Sequence, residues 1–157
     1  MPRRFFLFVL LFVGTILCSG ADVTPQAWVH IDGYTYHMVA RDCNNLLLGS
    51  GLTWYTRDDE KLRTAWEADA FADSARKLAA YAGYSVGLPL RAITIGMTGA
   101  IMYHRNFAAE NRLRTLPVAF PFLEFECRFK VRIYYVPPVR RASDEQVAVQ
   151  LLVPIGR

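Results

Sequence analysis

Polar and apolar residues alternate with a period of two along most of this chain, and this pattern limits the folds open to it. In residues 129–136 the odd positions are apolar or aromatic, whereas the even positions begin with Lys130 and Arg132. Such alternation is typical of strands whose two faces meet different surroundings. After the first twenty residues no segment has the roughly 18 consecutive apolar residues of a membrane-spanning helix, although 53% of the chain is hydrophobic. The sequence therefore predicts an all-β fold.

The alternating runs are long and can be counted. Turn-forming or charged clusters separate candidate strands near residues 27–39, 47–57, 62–72, 77–87, 91–104, 115–126, 129–137 and 146–155. Eight is the smallest common strand number among outer-membrane barrels, and runs of this length match a bilayer. Short and longer connections also alternate along the chain, as they do in bacterial barrels. We therefore expect an eight-stranded antiparallel transmembrane β-barrel.

A soluble lipocalin-like barrel is the structural alternative, because it has the same number of strands. Its apolar residues would face inward and its charges outward, and alternation alone leaves both orientations open. The charged residues lie toward one end of their strands, which favours a polar cluster inside a membrane barrel. These residues are Arg63, Glu67, Glu124, Glu126, Lys130 and Arg132.

The first twenty residues have the features of a secretory signal peptide. Arg3 and Arg4 precede an apolar run, and small residues end at Gly20. We therefore expect a signal peptide at residues 1–20 and one barrel domain at residues 21–157. Cys18 also permits a lipoprotein interpretation, although the bulky Leu17 before it argues against lipoprotein processing. Loss of the two arginines lowers the formal charge from +4 to +2, which makes nucleic acid an unsuitable partner.

The remaining cysteines are predicted to lie at opposite ends of the barrel. Cys43 falls in an outer connection and Cys127 in a connection at the other end. An apolar band about 25 Å tall separates these ends, whereas a disulfide needs Cα atoms within about 7 Å. We therefore expect two free thiols.

Three residues with suitable chemistry for acyl transfer fall at one predicted rim. His37 ends the first run, and Asp73 and Ser74 follow the third. An imidazole base, an orienting carboxylate and a hydroxyl serve as base, partner and nucleophile or oxyanion donor. On spacing alone, a turn in which Asp73 and Ser74 bond local backbone is the simpler explanation. His104, beside the same rim, is the second candidate for the base, and His30 lies too far from it.

Five short blocks stand out along the chain: Thr-Tyr-His at residues 35–37, Phe-Ala-Asp-Ser at 71–74, Tyr-Ala-Gly-Tyr at 81–84, Leu-Pro-Val-Ala-Phe-Pro at 116–121 and Tyr-Val-Pro at 135–137. In sequence and in order they resemble blocks of the PagP family of outer-membrane lipid A palmitoyltransferases. The resemblance implies transfer of a palmitoyl or similar chain from a phospholipid to lipid A in the outer membrane of a Gram-negative cell. It assigns the catalytic roles to His37, Asp73 and Ser74. We expect no cofactor and no metal, and we expect a monomer because a closed barrel leaves no edge to pair.

The resemblance also assigns substrate-binding positions. Pro121 and Pro137 match prolines that interrupt strand pairing and form a lateral gate for lipid, which is reasonable because proline cannot donate to a β-ladder. A second pair of gate prolines is replaced by Asp32 and Asn45, so one gate is expected. Ser85 stands where the family has the glycine that sets the depth of the acyl pocket, and a side chain there would shorten that pocket.

Arginines in the outer connections are candidates for contacts with lipid A phosphates, since guanidinium groups bind phosphate bidentately. Arg105 and Arg114 are the leading examples, together with Arg112, Arg140 and Arg141. Two other functions stay open at this point. One is a non-catalytic outer-membrane barrel with a structural or adhesive role, and the other is a soluble periplasmic lipid carrier.

Overall fold

The computed structural model describes residues 27–38, 45–73, 76–104, 115–138 and 145–155. These residues form a closed barrel in which each strand pairs antiparallel with its neighbours in chain order. The strands are β1 (Ala27–His37), β2 (Leu46–Asp58), β3 (Arg63–Ala72), β4 (Leu78–Leu90), β5 (Ile93–His104), β6 (Thr115–Glu126), β7 (Lys130–Val136) and β8 (Gln146–Pro154). The prediction of an all-β, eight-stranded antiparallel barrel is confirmed. Residues 1–26, which include the predicted signal peptide, lie outside the described residues.

Most predicted strand limits agree with the structure within two residues, but β4 is longer than expected. It continues past Gly87 to Leu90, and only Arg91 and Ala92 connect it to β5. The predicted strand ended at Gly87, yet this glycine lies in the ladder, where an added Cβ would come within 2.5 Å of Thr94 Cγ2. The turn residue is instead Arg91, with a φ of 58° in the left-handed region. The glycine therefore permits close approach of a neighbouring side chain and does not end the strand.

The two faces of the barrel differ in polarity, and the charged face is the inner one. Charged and polar side chains such as His30, Glu67 and Gln150 are buried in the lumen. Outward-facing residues are apolar and exposed, with Leu52 at 54% and Trp66 at 60%. This orientation is the opposite of the one expected for a lipocalin-like barrel.

We call the end where β1, β3, β5 and β7 finish the loop rim, and the opposite end the turn end. Near the turn end the lumen is filled by ion pairs. Glu124 accepts hydrogen bonds from Arg63 Nη1 at 3.0 Å and from Arg132 Nε at 2.8 Å, and Arg132 also pairs with Glu67. Lys130 Nζ lies 3.6 Å from Glu124 Oε1. The expected cluster of paired charges inside the barrel is confirmed, and we call it the polar plug.

Closer to the loop rim the lumen is lined by aromatic rings. Tyr81, Phe120, Phe122 and Tyr134 are buried together. The rings of Phe120 and Phe122 each meet that of Tyr134 edge to face, with centroids 6.1 and 5.9 Å apart. The lumen thus changes from ionic to apolar along the barrel axis.

Cys127 follows β6 at the turn end and is disulfide-bonded. The prediction that it carries a free thiol is therefore wrong. That prediction considered only Cys43 as a partner and excluded it by distance, whereas an exported chain generally favours oxidised cysteines. Cys43 and Cys18 lie outside the described residues.

Candidate functional site

The loop rim brings together side chains that lie far apart in the chain. Because odd-numbered strands of this barrel run in the same direction, His37 ends β1, Asp73 follows β3, and His104 ends β5 at the same rim. His37 and Asp73 are both buried, and His104 has a side chain that is only 13% exposed. Two imidazoles and a carboxylate thus occupy one end of the lumen.

Asp73 organises the connection between β3 and β4. Its Oδ1 accepts a hydrogen bond of 2.6 Å from the backbone N–H of Lys77, and its own N–H donates to the Lys77 carbonyl at 2.8 Å. The Asp73 carbonyl accepts a further bond of 2.8 Å from Arg76, whose φ is 58°. The alternative that Asp73 bonds local backbone in a turn is therefore correct for one carboxylate oxygen.

The other oxygen of Asp73 faces an imidazole. His104 Nε2 lies 3.0 Å from Asp73 Oδ2, which is hydrogen-bond distance. The strand register explains this contact. At the loop rim the ladder between β3 and β4 finishes with the pair Ala72 and Leu78, and the next residue of β4, Ala79, pairs with His104 on β5. Asp73 is thus joined to the histidine that ranked second in the sequence. His37 pairs with Gln146 in the ladder between β1 and β8, and β1 is two strands away from β3.

Below this rim the lumen contains a cavity of about 50 Å³. Its wall is mainly apolar and includes Leu47, Phe71, Tyr81, Met102, Phe120, Tyr134, Val136 and Ala148, whereas Asp32, Asp69 and Gln150 provide its polar groups. Sequence analysis did not identify Asp69 or Gln150 as site residues, because both resemble ordinary lumen positions in alternating strands.

The three polar residues of the cavity are bridged to one another. Gln150 Nε2 donates to Asp32 Oδ1 at 2.8 Å and to Asp69 Oδ2 at 2.9 Å. His30 Nε2 lies 3.5 Å from the same Asp69 oxygen. We call Asp32, Asp69 and Gln150 the polar floor.

The barrel wall beside this cavity is less completely paired between β6 and β7. The ladder between them starts at Phe122 and Tyr134, so residues 115–121 of β6 pair only with β5 among the described residues. Pro121 is the residue just before this ladder, and Pro137 directly follows β7. On the other side of the barrel the pairing of β1 with β2 continues to the rim, where the Thr35 N–H donates to the Asn45 carbonyl at 2.8 Å.

The structure describes only some of the other predicted site residues. Ser85 is buried and its hydroxyl donates to the Ala65 carbonyl at 3.4 Å, but it does not line the cavity. Ser74, Arg105 and Arg114 lie outside the described residues, as do Arg112, Arg140 and Arg141. Their predicted roles stay predictions.

Neither metal binding nor a helical membrane anchor is evident in the part of the chain that the structure describes. These residues contain no group of three or more His, Cys, Asp or Glu side chains able to hold a metal ion. They also contain no helix that is long and apolar enough to cross a membrane. The sequence matches no known family model and no curated protein.

Proposed function

We propose that the protein is an outer-membrane acyltransferase that moves an acyl chain from a phospholipid to a hydroxyl of lipid A. The observation that carries the proposal is the Asp73–His104 contact of 3.0 Å at the rim of a largely apolar cavity. An oriented imidazole beside a cavity that accepts a hydrocarbon chain provides a base and an acyl-binding site in one place.

Location in a membrane is supported by the exterior of the barrel. The outward face of the strands is apolar, as at Leu52 and Leu88, which are 54% and 59% exposed. A large continuous apolar surface requires a partner or a membrane, and strands of about 9–11 residues span a bilayer. Toward the turn end, the outward rings of Trp66 and Tyr84 lie 4.8 Å apart, as in the aromatic girdles of outer-membrane barrels. A soluble carrier would expose the opposite face.

The gap in pairing between β6 and β7 supports access for lipid from the side. Pro121 cannot donate to the ladder, and the stretch of β6 that has no β7 partner among the described residues includes Phe120, which also lines the cavity. A phospholipid acyl chain in the surrounding membrane would therefore reach the cavity between these strands. Pairing of β1 with β2 up to Asn45 supports a single lateral gate.

The proposed chemistry starts with proton transfer to an imidazole. Asp73 holds His104 through Nε2, so that Nδ1 accepts the proton of the lipid A hydroxyl. The resulting oxygen attacks the ester carbonyl of the phospholipid, and the tetrahedral intermediate collapses with cleavage of the ester C–O bond. The departing lysophospholipid oxygen takes the proton back from the imidazole. His37, to which the resemblance assigns the base, becomes the second candidate for that role here, and Ser74 keeps its predicted role as nucleophile or oxyanion donor.

The test is mass spectrometry of lipid A from Gram-negative cells that carry the wild-type protein, the Asp73→Ala variant or an empty vector. We expect an added acyl chain only with the wild-type protein. His104→Ala and His37→Ala, measured in the same cells, identify which imidazole is the base. Unmodified lipid A in cells with abundant folded protein would exclude the enzyme and leave a structural or adhesive barrel.

Folding into the membrane is checked separately by heat-modifiable migration of the purified protein in detergent gels. A folded barrel migrates differently before and after boiling, whereas a soluble lipid carrier denatures in the detergent and shows one band. This control ensures that missing activity is not the result of missing folded protein.

A further inference from the structure

The depth of the acyl-binding cavity is set by identifiable side chains. Asp69 and Gln150 line the cavity, and the Gln150 amide spans the lumen between Asp69 and Asp32 with hydrogen bonds of 2.9 and 2.8 Å. All three residues are at least nine-tenths buried. The polar floor therefore links β1, β3 and β8 across the lumen, and the Tyr81 hydroxyl on β4 lies 3.5 Å from the same Gln150 nitrogen.

The polar plug prevents any continuation of the cavity below this layer. Glu67 is the next inward residue of β3 after Asp69, and it pairs with Arg132, which has no exposed surface. Tyr134 donates to Glu67 Oε2 at 2.8 Å and closes the same level from β7. A hydrocarbon chain that passed the floor would have to displace buried ion pairs, which is strongly unfavourable.

Ser85 lies beyond this barrier. In the ladder between β3 and β4, Asp69 pairs with Tyr81, whereas Ser85 pairs with Ala65, four residues nearer the turn end on each strand. The side chain of Ser85 thus sits at the level of the plug. Its exchange for glycine would open space that an acyl chain cannot reach.

The distance from the reactive rim to the floor limits the length of the chain. Asp73 and Asp69 are four residues apart, which corresponds to about 13 Å along a strand and about 10 Å along the axis of a barrel whose strands tilt by about 40°. A fully extended backbone covers about 3.6 Å in three bonds, or about 1.2 Å per bond. About eight to eleven bonds therefore fit, whereas the roughly fifteen bonds of a palmitoyl chain need about 18 Å.

We propose that the polar floor makes this protein selective for acyl chains of about nine to twelve carbons, so that decanoyl or lauroyl groups are transferred in preference to palmitoyl. The proposal rests on the acyl transfer proposed above and names its substrate class. Gln150 is the specificity-determining residue, since its side chain closes the floor.

The test uses the full-length protein refolded in detergent, lipid A as acceptor, and equal amounts of phosphatidylcholines carrying decanoyl, lauroyl, myristoyl or palmitoyl chains. Mass spectrometry of the product identifies the transferred chain. We expect decanoyl and lauroyl products to exceed the palmitoyl product by at least about tenfold. A palmitoyl chain has about four methylenes more than the cavity holds, and lost burial of only two of them already corresponds to that factor. A predominant palmitoyl product overturns the proposal and leaves the acyltransferase function intact.

Three variants test the residue assignment. Gln150→Ala and Gln150→Leu both remove the amide bridge, but only alanine opens space, so only Gln150→Ala is expected to lengthen the preferred chain, by about two carbons at 1.2 Å per bond. Ser85→Gly is expected to keep the wild-type preference. A longer chain with Ser85→Gly and none with Gln150→Ala would show that Ser85 sets the depth, and it would refute the role of the floor.

A binding experiment keeps the proposal testable without catalysis. The protein is placed in mixed micelles with equal amounts of decyl-, dodecyl- and hexadecylphosphocholine, and the amphiphile retained after release from the micelle is identified by native mass spectrometry. We expect retained decyl and dodecyl chains in the wild type and Gln150→Leu, with a shift to longer chains in Gln150→Ala. Preferential retention of the hexadecyl chain by the wild type overturns the depth limit even if no acyl transfer is detected.

Discussion

The polar plug provides a quantitative test of how this barrel is stabilised, and Glu124 is its central residue. The Glu124 side chain has no exposed surface, and the Tyr55 hydroxyl lies 3.0 and 3.1 Å from its two oxygens. Arg63 Nη1 and Arg132 Nε donate to the same carboxylate at 3.0 and 2.8 Å. Glu124→Ala removes every one of these acceptors and leaves buried cations with less negative charge around them.

Removal of one partner from a buried ion pair costs about 3–5 kcal/mol. We expect a value near the lower limit, about 3 kcal/mol, because Arg63 keeps its contacts with Asp58 and Glu126, and Arg132 keeps Glu67. The measurement is urea unfolding of the refolded protein in lipid vesicles, with the folded fraction read from heat-modifiable migration. Arg57→Ala is the matched control, since it breaks an ion pair whose side chains are 51% and 45% exposed. Such exposed, solvent-screened pairs contribute little to stability.

The double variant Glu124→Ala with Arg132→Ala tests whether the loss of stability comes from the interaction between these two residues. Residues in direct contact show coupling energies of about 0.5–3 kcal/mol, so the double variant should lose less stability than the sum of the two single variants. A loss below about 1 kcal/mol for Glu124→Ala, or strict additivity with Arg132→Ala, would refute the view that paired charges hold the plug together.

Three further predictions concern the site, the packing and the exterior. Asp73→Asn keeps an oxygen for the Lys77 N–H but loses the charge that faces His104. Acyl transfer should therefore fall by about 10²–10⁴-fold, while the urea midpoint stays unchanged. Equal losses of stability and activity would contradict a role of Asp73 in catalysis separate from its role in folding. Gly51→Val should prevent folding, because even a Cβ at residue 51 would lie 2.1 Å from the Ala68 carbonyl oxygen, and a normal yield of heat-modifiable protein would disprove it. Leu52→Arg, on the outward face, should destabilise the barrel by about 2–4 kcal/mol in vesicles; no loss of stability there would argue against a membrane location.

The architecture follows from the alternation because a period of two assigns every residue of a strand to a face. Residues 62–70 place Arg63, Glu67 and Asp69 on one side, and the structure buries all three. The period does not show whether that face points into the lumen or outward, because a lipocalin-like barrel has the same alternation. Clustering of the charges toward one strand end favoured the correct orientation, because buried charges need nearby partners.

The contact between Asp73 and His104 was not predictable with the same certainty. It depends on the register of two successive hairpins, and a one-residue slip in either of them moves a side chain to the other face. The three-residue error at the end of β4 illustrates the difficulty, because a glycine needed for packing resembled a turn. No feature of the sequence marks Gln150 as a site residue, because its role depends on strands that come near it only when the barrel closes.

The division of the lumen connects stability with the proposed activity. Ion pairs around Glu124 and Arg132 fill the turn end, and their burial depends on mutual pairing. Among the described residues, the openings left for the proposed acyl chain are the loop rim and the gap between β6 and β7, and both lead to the aromatic half. The polar floor at Gln150 is the boundary between these halves. Substitutions that deepen the cavity must therefore weaken the layer next to the plug, so chain length and stability should change together, with Gln150→Ala less stable than Gln150→Leu.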